Sequence, residues 1–397
     1  MCHRGEQLFS YPDFYGIADR GRRGRHGTFS AALQERENQS KIITITLMIR
    51  IKPLAAALMA VIIATLPAAA VIKVTPSDKY VTRVVTCPDF NKLVTNTSID
   101  IEYTVGPKSV KLYAPDNLID YMQVTSTRKT LSVAWKNNGD LLISGRWTAK
   151  MIVSAPAGSV NEFITNSSGD VVIKSNLTGA VNYSFITNSS GDIKLRAVDA
   201  SKADVKLITN SSGDVSATSV TGGNVTLGSN SSGDVSVTSV KASKAASMLA
   251  NSSGDVKAGK VLSASISVVS TSSGDVKAGN VSADNAIVES RSSGDVSVDD
   301  LISDVVTVRA VSSGDIRVAG KGRTVQITSG STSEVKAKEF KAMDLTVEAS
   351  SSGEVECYAV RKLDATCTST MAEINCYSKP GMVTKRGAYT ENIKTGR

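Results

Sequence analysis

The chain has 397 residues, with 45 Lys and Arg against 37 Asp and Glu for a formal charge of +8, and 41% apolar residues. That composition is neither disordered nor membrane-saturated. Its two histidines, His3 and His26, both precede residue 30, and none of its five cysteines forms a C-x-x-C pair. Once the N-terminus is removed, histidine-based triads, H-E-x-x-H zinc sites and c-type haem attachment are excluded.

Residues 1–47 are rich in Arg and Gly and carry no sustained period. They read as an upstream extension or a misassigned start. Met48-Ile49-Arg50-Ile51-Lys52 then opens a short basic region, followed by an apolar run over residues 54–66, Pro67 and Ala68-Ala69-Ala70. These are the parts of a secretory signal peptide over residues 48–70. The run is shorter than the ~20 residues that a spanning helix needs, so no transmembrane segment is expected in the mature chain. Removing residues 1–70 leaves 36 Lys and Arg against 32 Asp and Glu, a charge of +4. The basic balance is mostly leader, and it gives no case for a nucleic-acid partner.

Residues 71–160 read as a separate β module that caps the repetitive segment on its C-terminal side. Alternation is clear in Ile99-Asp100-Ile101-Glu102-Tyr103-Thr104-Val105, and Pro107 and Pro115 punctuate it. Asn137-Asn138-Gly139-Asp140, between apolar residues 131–135 and 141–143, predicts a hairpin turn. Trp135 and Trp147 read as packing residues rather than a sugar-stacking platform. Residues 149–155 read as a last strand leading into the first coil.

From residue 161 to 376 one unit, Asn-Ser-Ser-Gly-Asp-Val, dominates. Its Gly recurs at 169, 191, 213, 233, 254, 274, 294, 314 and 353, with Ser333 and Ala372 in the same slot of two degenerate copies. The eleven copies are 19 to 22 residues apart. One position after the acidic residue every copy has Val or Ile, and three positions after it every copy is apolar, ending in Cys357 and Cys376. Six positions after it come Val198, Val220, Val240, Val261, Val281, Leu301, Phe340 and Val360. Six positions before Gly lies a row from Phe163 to Val347, and four before it a small residue. Period two in β-branched residues, on two short segments per ~20-residue unit, is one coil of a parallel β-solenoid. Coils stacked at ~4.8 Å bury one another's apolar ladders, and eleven make a rod of roughly 50 Å. Residues 377–397 are expected to form a C-terminal tail or cap.

Ser-Ser-Gly-Asp is the corner. Gly supplies a sharp turn through φ > 0, and Ser, Asn and Asp bond nearby backbone. The corners also align an acidic ladder: Asp170, Asp192, Asp214, Asp234, Asp255, Asp275, Asp295 and Asp315, continued by Glu334, Glu354 and Glu373. Stacked carboxylates repel unless they are solvated, hydrogen-bonded or bridged, so calcium is the one cofactor the pattern allows. Asn166, Asn188, Asn210, Asn230 and Asn251 match the glycosylation sequon, but read better as an Asn ladder serving turn backbone. Cys357 and Cys376 occupy the same inward slot of consecutive coils. Their Cα atoms, ~4.8 Å apart, fall inside disulfide range. Two buried free thiols fit the pattern equally, and Cys367 competes as a partner.

Asp89-Phe90-Asn91-Lys92-Leu93-Val94, the strands at 131–143 and 149–156, and the Ser-Ser-Gly-Asp repeats together resemble the putative auto-transporter adhesin head GIN domain family of Bacteroidetes envelopes. The resemblance spans residues 85–376 and implies a secreted or envelope-associated right-handed β-helix with a role in adhesion. The 21 residues after the last coil are too few for the membrane β-barrel of a classical autotransporter.

Near-constant coil length leaves no long loops to wall an enzyme cleft, and no acidic pair stands out from its neighbours. The reading is therefore an all-β, right-handed β-solenoid of about eleven 19–22-residue coils with an N-terminal β cap. It is a non-enzymatic, exported envelope or surface protein, placed in the periplasm, on the outer-membrane surface or outside the cell. Its polar faces would meet a surface ligand such as a glycan or a protein. A self-associating structural protein and a polysaccharide-processing β-helix enzyme are the alternatives.

Overall fold

The computed structural model describes residues 71–136 and 140–396. The extension 1–47, the signal peptide 48–70 and residues 137–139 of the expected turn lie outside the described residues.

The molecule is an all-β solenoid of about 12 turns of stacked parallel coils. Each inward row read from the repeat is buried: Val171 to Ile374 after the corner, Ile173 to Cys376 two residues on, and Phe163 to Val347 before it. Equivalent residues lie directly over one another. Val215 pairs with Val235, Val235 with Val256, and Val256 with Val276. Like therefore packs on like, and an interior strand such as Val215–Ser229 is hydrogen-bonded along both edges. At the N-terminal end the core is aromatic, with Tyr103 edge-on to Phe163 at 5.1 Å and Phe163 stacked on Phe185 at 5.4 Å.

Val360 departs from its row. It is 45% exposed, because pairing slips between Lys336/Lys341 and between Ala342/Asp344, bringing Ala359 over Ala342. Phe340 is buried beside Gly320 and Gly322, and fills the space that smaller residues fill in other coils.

The N-terminal strands are β1 (Ile72–Val74), β2 (Tyr80–Val84), β3 (Lys92–Thr95), β4 (Asp100–Val105), β5 (Ser109–Pro115), β6 (Met122–Thr127), β7 (Thr130–Trp135), β8 (Leu141–Ile143) and β9 (Lys150–Ala155). They are followed by β10 (Glu162–Thr165) and β11 (Val171–Ile173) of the first recognised repeat. β3 and β4 pair in parallel with β10 and β11, and so form a full coil beneath them. β7 and β9 pair in parallel with the other edges of β3 and β4. The chain thus builds the middle coil first, then the outer one, and only then crosses to the repeats. Antiparallel β6 covers β7, while β5 covers β9 and β2 covers β5.

The hairpin expected between residues 131–135 and 141–143 does not form. Both edges of β7 are taken by β3 and β6, and β8 pairs in parallel with β1 instead. The actual hairpin joins β6 to β7 through Arg128 and Lys129, at φ 51° and 63°. Two successive left-handed residues suit the twist of a two-residue turn. Trp135 is buried edge-on to Trp147 at 5.5 Å, and its indole N–H donates to Ser98 Oγ at 3.1 Å.

At the other end, residues 377–396 continue the stack. Met382–Arg386 pairs over residues 362–366 and Ile393–Thr395 over residues 374–376. Lys385 sits above Ala365 in a core column, and its ammonium donates to the Ile393 carbonyl at 2.5 Å. A cation on this exposed strand blunts an edge that would otherwise template another strand.

Candidate binding surfaces

Corner chemistry decides which side chains remain for a partner. Each predicted aspartate accepts, through Oδ1, the backbone N–H of its counterpart in the next coil. The distances run from 2.8 to 3.0 Å from Asp170 through Asp315, whose acceptor role falls on the Glu334 N–H. The series begins one coil earlier, where Asp100 accepts from the Asp170 N–H at 3.0 Å. The carboxylates thus act as staples between coils. Lys194 and Lys257 pair with the second oxygens of Asp192 and Asp255 at 3.0 and 2.9 Å. Burial pushes the Asp255 carboxyl up, but the Asp275 N–H and the Lys257 ammonium outweigh it and hold it below the ordinary range. At Asp100 burial prevails and raises it. Among the described residues no three His, Cys, Asp or Glu side chains converge as a metal cluster.

The asparagines form a parallel ladder. Each Nδ2 donates to the Oδ1 one coil below, from Asn166 on Asn96 to Asn251 on Asn230, at 2.7 to 2.8 Å. Behind them the small residue before the corner closes the turn. Thr165, Thr187 and Thr209 donate to the corner carbonyl of the following coil, whereas Ser229, Ser270 and Ser290 donate to that of their own.

Corner glycines are needed for a different reason than expected. None has positive φ. A Cβ on Gly191, Gly213 or Gly233 would instead lie 2.2 Å from the carbonyl oxygen of the corner glycine below. Close approach of two coils, not a left-handed turn, excludes a side chain.

Cys357 and Cys376 are register partners and fully buried as free thiols. Interaction with Cys376 and burial hold the Cys357 thiol well above its ordinary range, whereas Cys376 is lowered to about 5. Cys376 also lies 3.2 Å from Ser378 Oγ. Cys367 stacks on Ala349 instead, and its Sγ lies 3.5 Å from the Ala372 carbonyl, in the role of the serine hydroxyls.

Several outward rows remain, and two of them contrast. One carries Lys194, Ser216, Ser236, Lys257, Lys277 and Ser297 on successive rungs. Its charges are compensated locally, as in Lys277 with Asp299 at 3.6 Å and Lys336 with Glu334 at 2.7 Å. The other, five residues before the corner, is mostly apolar and partly buried: Ile164, Ile186, Ile208, Gly228, Leu249 and Val269 follow one another before Glu289 and Arg309 replace them. Alignment on Gly already contained this second row. So did Asn96-Thr97-Ser98-Ile99-Asp100, a corner without Gly, signalled by the Asn and Asp four residues apart.

Residues 89–279 and 260–380 match the family described as "Putative auto-transporter adhesin, head GIN domain". The chain belongs to this family. Among solved structures, a putative adhesin from Bacteroides fragilis is 20% identical, with a TM-score of 0.43 over 62% of this chain and 99% of that one. One from Parabacteroides distasonis is 17% identical, with a TM-score of 0.44 over 68% and 99%. Another, from Parabacteroides merdae, is 14% identical, with a TM-score of 0.30 over 80% and 99%. No curated protein sequence matches the chain. No helix among the described residues of this head GIN domain protein is long and apolar enough to cross a membrane.

Proposed function

We propose that this head GIN domain protein is a non-enzymatic, exported envelope protein that adheres to a surface partner through its polar solenoid face. One observation carries the reading. The repeated acidic and amide groups are used between coils, and beside them the outward surface carries a row with one polar side chain per rung, from Lys194 to Ser297. Side chains repeating every ~4.8 Å suit a partner that also repeats, such as a glycan chain. Self-association end to end is the second reading, and the exposed Lys385 on the strand Met382–Arg386 argues against it.

Cell fractionation with protease shaving tests export, and recovery of protected cytoplasmic protein would overturn it. A glycan-binding screen of the full chain, with and without calcium, tests the face. The expected hit is lost on replacing Lys257 and Lys277 by Glu, and a hit indifferent to those changes would place the surface elsewhere. Within the exported chain we also propose that Cys357 and Cys376 join as a disulfide. Non-reducing peptide mapping that recovers only free thiols would end that idea.

A further inference from the structure

A groove of about 580 Å³ runs along the solenoid where each coil bends between its two strands. Its floor is small: Ser263, Ala283, Ser303 and Gly322 on consecutive coils. One wall carries Leu262, Ser282 and Ile302, the two apolar side chains each 44% exposed, and continues into Lys321 and Lys341 on adjacent rungs. The opposite wall carries Asp284, then Asp304 bound to Arg323 at 3.1 Å, then Met343 and Val360 at 41% and 45% exposure. Several of the chain's exposed large apolar side chains therefore converge on one channel.

The lining narrows the choice of occupant. Strands here pair on both edges, so no backbone edge is open to an extended peptide. No aromatic ring lines the groove for a sugar to stack on. What it offers is aliphatic wall and two cations. Neither Lys321 nor Lys341 has a carboxylate partner among the described residues, and stacking in register holds them one rung apart. Ser263, 7% exposed on the floor, has a hydroxyl without a hydrogen-bond partner among the described residues. The stretch from Leu262 to Lys321 covers three rungs, about 14 Å, a span suited to an extended alkyl chain of medium length.

We infer that this groove binds a free fatty carboxylate, with its tail along Ala283 between Leu262 and Ile302 and its head between Lys321 and Lys341. Asp284 disfavours the reverse orientation, because it would face the anion. The site is separate from the polar face and stands or falls independently of it.

Calorimetric titration of the full chain with laurate below its micelle concentration tests the inference. One saturable site is expected, with dodecyltrimethylammonium and acetate binding at least about tenfold more weakly. The paired changes Lys321→Glu and Lys341→Glu should cost about tenfold or more in laurate affinity, and Ile302→Glu a similar factor. All three positions are outward, so an unchanged melting temperature separates lost binding from lost fold. No saturable laurate binding, equal binding of the cationic amphiphile, or full affinity in the lysine variant would overturn it. So would retention on anionic vesicles with no binding of free laurate, which would mark a membrane surface instead.

Discussion

The corners from Gly191 to Gly314 and those from Ser333 to Ala372 make the same bend with different chemistry. In the first group Gly lets two coils approach until a Cβ has no room, and Asp reaches across to hold the next N–H. In the second, Ser333 and Ala372 replace Gly while Gly353 remains, and left-handed backbone appears at Ser331 and Ser351, φ 56° and 57°, in the corners of Ser333 and Gly353. The Glu354 N–H then finds the Ser333 carbonyl, and the Glu373 N–H the Gly353 carbonyl. The longer glutamate is tolerated because nothing requires its carboxylate there. Gly and Asp act together in the first group, whereas Gly353 persists beside Glu354 in the second.

The largest expected effect comes from Gly. Gly233→Ala places a Cβ against the Gly213 carbonyl and should cost about 3 kcal/mol in urea unfolding. In the rebuilt corner Ser333 holds that slot, and Gly330→Ala, three residues earlier, meets nothing nearer than 3.4 Å and should change stability by less than about 0.5 kcal/mol. Equal costs would break the distinction. Next comes Asp. Asp214→Ala strands the Asp234 N–H and should cost about 1–2 kcal/mol, whereas Asp214→Asn retains an acceptor and recovers most of it. Glu334→Ala loses only an exposed pair with Lys336, worth under about 1 kcal/mol. The Asn ladder is smaller again. Asn210→Ala removes two side-chain bonds and should cost about 1 kcal/mol, detectable as a lower melting temperature.

The smallest effect is electrostatic and confined to the rebuilt corners. Glu354 stacks between Glu334 and Glu373. Burial first, then those two carboxylates, raises its carboxyl above the ordinary 4.5. A raised acid favours the folded state when protonated, so stability is fully present below pH 4.5 and is lost as pH rises through the higher folded value. Glu354→Gln should therefore stabilise by a few tenths of a kcal/mol at neutral pH. The gain should vanish in melts below pH 4.5, the ordinary carboxyl value. A gain that grew in acid would reverse the assignment.

The repeat made the coils legible because stacking like on like writes the same residue at the same offset. Val215, Val235 and Val256 could be placed inward from spacing alone. The insertion of β7 and β9 beneath β3 and β4 could not, since alternation marks which side of a strand is buried but not which neighbour lies at its edge. The Asn-Asn-Gly turn misled for the same reason, with both edges of β7 already taken. Val360 was misplaced because a slip in pairing leaves composition unchanged. The glycine was read as a left-handed turn residue, but its reason lies between coils and is invisible within one. The apolar groove arises from the bend, where Leu262 and Ile302 stand two coils apart.

The central claim is that the aspartate ladder staples backbone to backbone without help from a cation. Thermal unfolding of the wild type and of Asp214→Ala, each in chelator and in millimolar calcium, addresses it directly. The account predicts the same loss in melting temperature for the variant in both buffers. A loss that appears only in calcium, with wild type and variant melting together in chelator, would contradict it.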